Sequence, residues 1–327
     1  MIFLTVFRIT CRTGTIVTAR PALDIGRAMK VTEINIRDPY VLYTRGKYYL
    51  YGTRSATCWG VADGFDCYIS EDFETWDGPF EIFHRPEGFF ADRFYWAPEC
   101  YEYEGFYYLV TTFGSKTVKK GIYILKSDRP EGPFELYSEK LTPTDWTSID
   151  GTLYFQDNRK YLIFSHSFED TPDGDMCVIE LTADMRQSVG QPLVLFSAIS
   201  APWARPVPFA EAEFGMKGNV YFTDGPCVFH GKDGRLYMLW SSWSTRGYAV
   251  GTAVSDSGEI TGIWKHLEEP VFPENGGHGM MFYAPDGTMK YVLHYPNDKY
   301  QERPVFCTLE ITDGKVVVTN GNENRHE

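Results

Sequence analysis

Three aspartates, Asp38, Asp150 and Asp224, each stand at the entry to an extended, aromatic-rich segment. The segments read RDPYVLYTRGKYYLYGT from Arg37, IDGTLYFQDNRKYLIFSH from Ile149 and TDGPCVFHGKDGRLYMLWSS from Thr223. Two further copies, APECYEYEGFYYLVTTF from Ala97 and GHGMMFYAPDGTMKYVLHYP from Gly277, lack the aspartate. Read in one phase, the three carboxylates mark the same point of three copies. Carboxyl groups converging from separate segments can divide acid–base work. One is held protonated to donate, one stays ionised to take a proton from water, and a third raises the donor's pKa, because adjacent like charges do not all ionise cheaply. Cleavage of a glycosidic bond needs the first two, and the third can assist the donor. A lone Asp at a strand end more often caps backbone N–H groups, but three separate capping roles would not require one phase.

The elements that must position these residues are hairpins. Each copy alternates aromatic and β-branched residues through a turn containing Gly, Asn or Asp. A weaker hairpin follows each copy, from Cys67, Ile122, Met176, Ala249 and Val305. Two hairpins make four strands, and five such units predict an all-β fold, a five-bladed β-propeller with four antiparallel strands per blade. The innermost strands would then line a channel and bring the three aspartates to one mouth. No linker or composition shift divides the repeats, so residues 31–327 read as a single domain. Residues 1–30 read as an N-terminal extension. Its start, MIFLTVFRITCRTG, has no basic leading region and no small-residue cleavage site, so it is not read as a signal peptide and a cytoplasmic location is expected.

Composition narrows the partners. With 16% aromatic and 23% charged residues the chain suits a large all-β fold with aromatic grooves. Lys+Arg 31 against Asp+Glu 44 gives a net charge of −13, which disfavours nucleic acid and anionic membrane surfaces. Seven cysteines, Cys11, Cys58, Cys67, Cys100, Cys177, Cys227 and Cys307, are scattered without a CxxC pair and read as buried thiols. Neither a glycine-rich phosphate loop nor a Gly-Xaa-Ser-Xaa-Gly elbow is present.

Taken in order, Arg37-Asp38-Pro39, Trp96-Ala97-Pro98-Glu99, Ile149-Asp150-Gly151, Asp224-Gly225-Pro226 and Gly277-His278-Gly279 resemble the motifs of glycoside hydrolase family 43, from about residue 31 to the end. The resemblance implies a five-bladed propeller and inverting hydrolysis of arabinose- or xylose-containing glycans, with a neutral oligosaccharide or polysaccharide as substrate. It makes Asp38 the general base, Asp150 the residue that orients and tunes the acid, and Asp224 the general acid. Most members carry Glu-Gly-Pro where this chain has Asp224-Gly225-Pro226. The shorter donor leaves Glu211 and Glu213 as alternatives and keeps open a second class of function, a catalytically silent carbohydrate-binding propeller. Trp96 is expected to stack on the sugar, with core packing as the alternative. Arg303 matches an arginine that contacts the sugar, with a surface ion pair to Glu302 as the alternative. No cofactor is required. His278 would approach a structural calcium or a water cluster on the propeller axis, although a hard cation prefers several oxygens. Insertions at residues 55–66, 85–95 and 198–220 are expected to rim the mouth and favour removal of terminal sugars.

Overall fold

The computed structural model describes residues 27–320. Five antiparallel sheets stand around a channel, each strand pairing with its successor from the axis outward. Blade one comprises Ile36–Thr44, Lys47–Arg54, Gly64–Ser70 and Thr75–His84. Blade two comprises Arg93–Tyr103, Phe106–Gly114, Gly121–Ser127 and Glu135–Leu136. Blade three comprises Ser148–Gln156, Arg159–His166, Asp175–Leu181 and Ser188–Ser197. Blade four comprises Asp224–His230, Leu236–Ser244, Gly247–Ser255 and Trp264–His266. Blade five comprises Gly277–Tyr283, Met289–Tyr295, Arg303–Thr312 and Lys315–Asn320. The first-named strand of each blade is innermost and packs beside its counterparts in the neighbouring blades.

Blade one departs from the expected four strands. Arg27–Lys30 pairs with Thr75–His84 as a fifth, outermost strand, so these four residues belong to the fold and not to an extension. The rest of that extension, with Cys11, lies outside the described residues. The other six cysteines are buried and unbridged. No described helix is long and apolar enough to cross a membrane.

Apolar clusters fill the spaces between neighbouring blades. The ring closes by side-chain packing between blades five and one, where Ile36, Leu50 and Trp76 meet Phe282, Val292 and Phe306. Trp76 and Phe306 lie parallel, with centroids 6.1 Å apart and planes 1° from parallel. Fully burying each large apolar side chain in such a seam contributes about 1.5–3 kcal/mol.

The innermost strands all break in the same way. Blade two has an earlier irregularity between Arg93 and Trp96; in every blade pairing then reaches Arg37, Trp96, Ile149, Asp224 or Gly277 and resumes at Tyr40, Glu99, Thr152, Cys227 or Met280. Two residues on the inner strand therefore face one on its partner, which is a β-bulge. The first residue of each bulge is left-handed: Asp38 (φ 52°), Ala97 (48°), Asp150 (59°), Gly225 (51°) and His278 (45°). A non-glycine residue in this region costs about 1–2 kcal/mol, so the surroundings must hold it there. Much of that hold comes from the preceding blade. The Ala97 N–H donates to Thr53 Oγ1 (2.8 Å), that of Asp150 to Thr112 Oγ1 (3.0 Å), that of His278 to Ser241 Oγ (2.8 Å), and that of Asp38 to His294 Nδ1 (3.3 Å). In blade four the Gly225 N–H donates instead to Asp150 Oδ2 (3.1 Å).

Candidate active site

The bulges place two of the three aspartates where the sequence reading put them, but Asp224 is displaced by one residue. Asp38 and Asp150 are left-handed bulge residues, buried at the axis. In blade four that place belongs to Gly225, and Asp224 lies in register with Arg37, Trp96 and Ile149. An offset of one residue changes the direction of a strand side chain. Asp224 is accordingly half-buried in the wall of a cavity that Arg37, Trp96 and Ile149 also line. The prolines carry the signal for this offset. Pro39 follows Asp38 and Pro98 follows Ala97, so Pro226 aligns Gly225, not Asp224, with the bulge. Only a residue without a Cβ fits there, because a Cβ at Gly225 would stand 2.6 Å from the His278 ring.

The carboxyl groups sit in contrasting electrostatic environments. Asp38 Oδ2 accepts a hydrogen bond from Thr53 Oγ1 (2.6 Å), and Oδ1 lies 3.3 Å from His278 Nδ1. Burial alone would push its pKa up. The adjacent His278 and Arg37, with the Thr53 hydroxyl, outweigh burial and hold the carboxyl below its ordinary value. Asp150 is pushed well above the carboxylate range by burial and by the charges of Asp224 and Asp38. Asp224 is raised to about 7, first by desolvation; the Tyr248 hydroxyl, which donates to Oδ2 at 2.9 Å, opposes the rise, and the charge of Asp38 adds to it.

Two histidines frame this group, each with its pKa lowered by burial. His294 Nδ1 accepts the Asp38 N–H, so the ring proton sits on Nε2, which donates to Asn297 Oδ1 (3.1 Å). Burial lowers the His294 pKa to about 3, so its contact with Asp38 is not an ion pair. His278 is likewise buried, and its pKa is lowered by desolvation. Its Nδ1 faces Asp38 and, at 3.6 Å, Asp150. Among the described residues no group of three or more His, Cys, Asp or Glu is arranged to hold a metal.

The cavity above the carboxyls measures about 320 Å³. Insertion 198–220 supplies part of its wall through Val207, Phe209, Glu213 and Phe214, and insertion 55–66 supplies Trp59. Insertion 85–95 does not reach it through the same kind of contact: Phe89 and Phe90 pack on the core between blades one and two. Trp96 lines the cavity, with its Nε1 donating to Cys58 O (2.8 Å) and its ring edge-on to Trp59 at 5.7 Å. Of the alternative donors, Glu213 lines the cavity and Glu211 does not; both are exposed.

Arg303 is a correction. Its guanidinium donates to the carbonyls of Thr32 (3.1 Å) and Glu302 (2.8 Å), away from the cavity lining, and makes no ion pair with the Glu302 carboxylate. That fully buried carboxylate instead takes Arg37 Nη1 (2.7 Å) and Ser55 Oγ (2.7 Å). Arg37, Trp59 and Tyr248, none of them singled out from the sequence, are thus among the added wall residues.

Trp59 is 45% exposed, so removing it spares the core. Aromatic stacking worth about 0.5–1.5 kcal/mol predicts that Trp59→Ala raises KM by about two- to tenfold with kcat little changed. Steady-state kinetics on a short oligosaccharide checks this.

The comparisons agree with this architecture. A search of curated proteins gave no match. An endo-arabinase structure from Bacteroides thetaiotaomicron VPI-5482 is 34% identical, with a TM-score of 0.79, covering 90% of this chain and all of that one. An endo-1,4-beta-xylanase structure from the same organism is 25% identical with a TM-score of 0.69, covering 90% of this chain and 97% of that one. An alpha-L-arabinofuranosidase from Lactobacillus brevis shares the fold at 18% identity and a TM-score of 0.67, over 89% and 97% of the two chains. The model of the glycosyl hydrolases family 43 matches residues 30–315, nearly the whole described propeller, and the chain is a member of that family of O-glycoside hydrolases.

Proposed function

We propose that this hydrolase releases terminal arabinofuranose from arabinose-containing glycans, with xylose as the alternative sugar, and that it inverts the anomeric configuration. The observation that carries the reading is the pair of opposite electrostatic states at one cavity: Asp38 held below the carboxylate range, Asp224 raised to about 7. Groups whose environments push their pKa values apart are suited to opposite roles. Asp224, protonated, donates to the leaving oxygen, and Asp38, ionised, takes a proton from the water that attacks the anomeric carbon. Asp150 accepts the Gly225 N–H and so fixes the bulge that follows Asp224. The donor stands in the cavity wall and the base at the axis, on different blades, which suits the wider separation of an inverting pair.

The preference for arabinose is supported by the 34% identity to a protein described as an endo-arabinase. The terminal mode of attack is supported by the compact cavity, about 320 Å³, walled by residues 198–220. Products from linear arabino-oligosaccharides and from aryl arabinofuranosides and xylosides test both points. Free arabinose as the first product is expected. A ladder of internal fragments would replace terminal with internal cleavage, and faster release from xylosides would change the sugar.

The rate should follow a bell against pH. Loss of the Asp224 proton places the alkaline limb near pH 7, and the acid limb falls below the usual carboxylate range because Asp38 must be ionised. Asp150, pushed above Asp224, stays protonated while Asp224 titrates, so Asp150→Asn, neutral like the protonated acid, should leave the alkaline limb of kcat/KM near pH 7. A limb moved by about a pH unit or more would show Asp150 to be ionised while Asp224 still holds its proton.

A further inference from the structure

Two residues beyond Asp38, Asp150 and their counterparts on the inner strands stand the residues that resume pairing after each bulge: Tyr40, Glu99, Thr152, Cys227 and Met280. Glu99 is a carboxyl that the proposed mechanism does not use, only 3% exposed. Its hydrogen-bond partners are the hydroxyls of Tyr101, at very short range, and of Thr152. The titratable groups facing it are Tyr40 from blade one, Tyr101 from its own strand, Asp150 from blade three and Cys227 from blade four, none of them a cation. A buried carboxylate with no cation beside it is costly to keep ionised.

Counting protons gives the same answer from geometry. Thr152 Oγ1 lies 2.6 Å from Pro226 O and 2.9 Å from Glu99 Oε1. A threonine hydroxyl has one proton, and a carbonyl oxygen can only accept. If the Thr152 proton goes to the nearer Pro226 carbonyl, the 2.9 Å contact joins two oxygens that both need a donor, and only Glu99 can supply it. Tyr101 completes the set, accepting the Leu153 N–H (3.1 Å) and donating to the other Glu99 oxygen.

We propose that Glu99 is a neutral carboxylic acid acting as a positioning residue for the Asp150–Asp224 pair: its O–H donates to Thr152, leaving the Thr152 proton on Pro226 and so pinning the Asp224-Gly225-Pro226 bulge. The same bulge presents the Gly225 N–H to Asp150. Burial, opposed by the two hydroxyls, lifts the Glu99 pKa to about 8, so the proton is present where the acid pair works and is lost as pH rises through that value. An ionised Glu99 would draw the Thr152 proton to itself, release the Pro226 carbonyl and add a negative charge beside Asp150.

The inference rests on the reading of Asp150 and Asp224 as the acid pair, and its test separates the two. Glutamine reproduces the neutral acid, since its amide N–H can donate to Thr152 and its oxygen can accept from Tyr101. Glu99→Gln should keep kcat/KM within about threefold of wild type at the optimum, whereas Glu99→Ala should lose on the order of a hundredfold, chiefly in kcat, through a misplaced donor. Above about pH 8 wild-type kcat/KM should fall by about two decades per pH unit, as two protons are lost, and that of Glu99→Gln by about one. A purely structural role would not change that slope. Infrared difference spectroscopy at neutral pH, wild type minus Glu99→Gln, should show the carbonyl stretch of a protonated carboxyl. Equal losses in the two variants, identical alkaline slopes, or a carboxylate band in the difference spectrum would overturn the proposal. A wild type inactive on every glycoside would defeat the acid-pair reading instead, and the infrared result would still decide the state of Glu99.

Discussion

Replacing Asp38 by Asn is expected to lower kcat by about 10²–10⁴-fold, the usual worth of a positioned general base, while Kd for oligosaccharide changes little. The substitution preserves volume, and the amide oxygen can still accept from Thr53 Oγ1, which donates at 2.6 Å in the native site. The Asp38 N–H bond to His294 is a backbone contact and is untouched. What disappears is the ionised oxygen that takes a proton from water. Binding measured by calorimetry beside turnover separates the effects. Retention of more than about a tenth of wild-type activity would remove Asp38 from the base role.

Asp224→Ala should divide substrates by their leaving groups. Natural glycosides leave as poor alkoxides and need the donated proton, so their hydrolysis should slow by about 10²–10⁴-fold; aryl glycosides with acidic phenols should slow by about tenfold or less. Loss of the base, by contrast, slows both alike. Asp224→Glu lengthens the donor in a wall where Tyr248 already holds the shorter carboxyl at 2.9 Å, so a fall in kcat is expected even though the acid is kept. Equal fractional losses on natural and activated substrates in Asp224→Ala would exclude Asp224 as donor. Glu213, which lines the same cavity, would then become the candidate.

The blades were legible because inner-strand alternation is local. The runs from Arg37, Ala97, Ile149, Thr223 and Gly277 each place aromatic and β-branched residues at period two, and each became the inner hairpin of one blade. Asp38 and Asp150 were legible as residues of one phase at the start of inner strands for the same reason; the bulges they occupy were not. Asp224 was read in the wrong phase because its aspartate was aligned with theirs, when the proline one place later marks the true register. A glycine in the left-handed position leaves no side chain to notice. The environment of Arg37 was hidden for a different reason: its partner Glu302 is 265 residues away, and no local pattern announces a pairing across the ring closure. The same distance misled the reading of Arg303, whose neighbour Glu302, not Arg303 itself, supports the cavity wall. Arg27–Lys30 escaped notice because a four-residue strand of sequence RAMK has no alternation to display.

The central claim, that a base at the axis and an acid in the cavity wall act on opposite faces of one sugar, is tested most directly by the anomer formed first. Proton NMR during the opening minutes of hydrolysis of an aryl α-L-arabinofuranoside should show β-L-arabinofuranose appearing before mutarotation mixes the anomers. Initial appearance of the α-anomer would mean retention through a covalent intermediate, with one of these carboxylates as nucleophile, and would contradict the account.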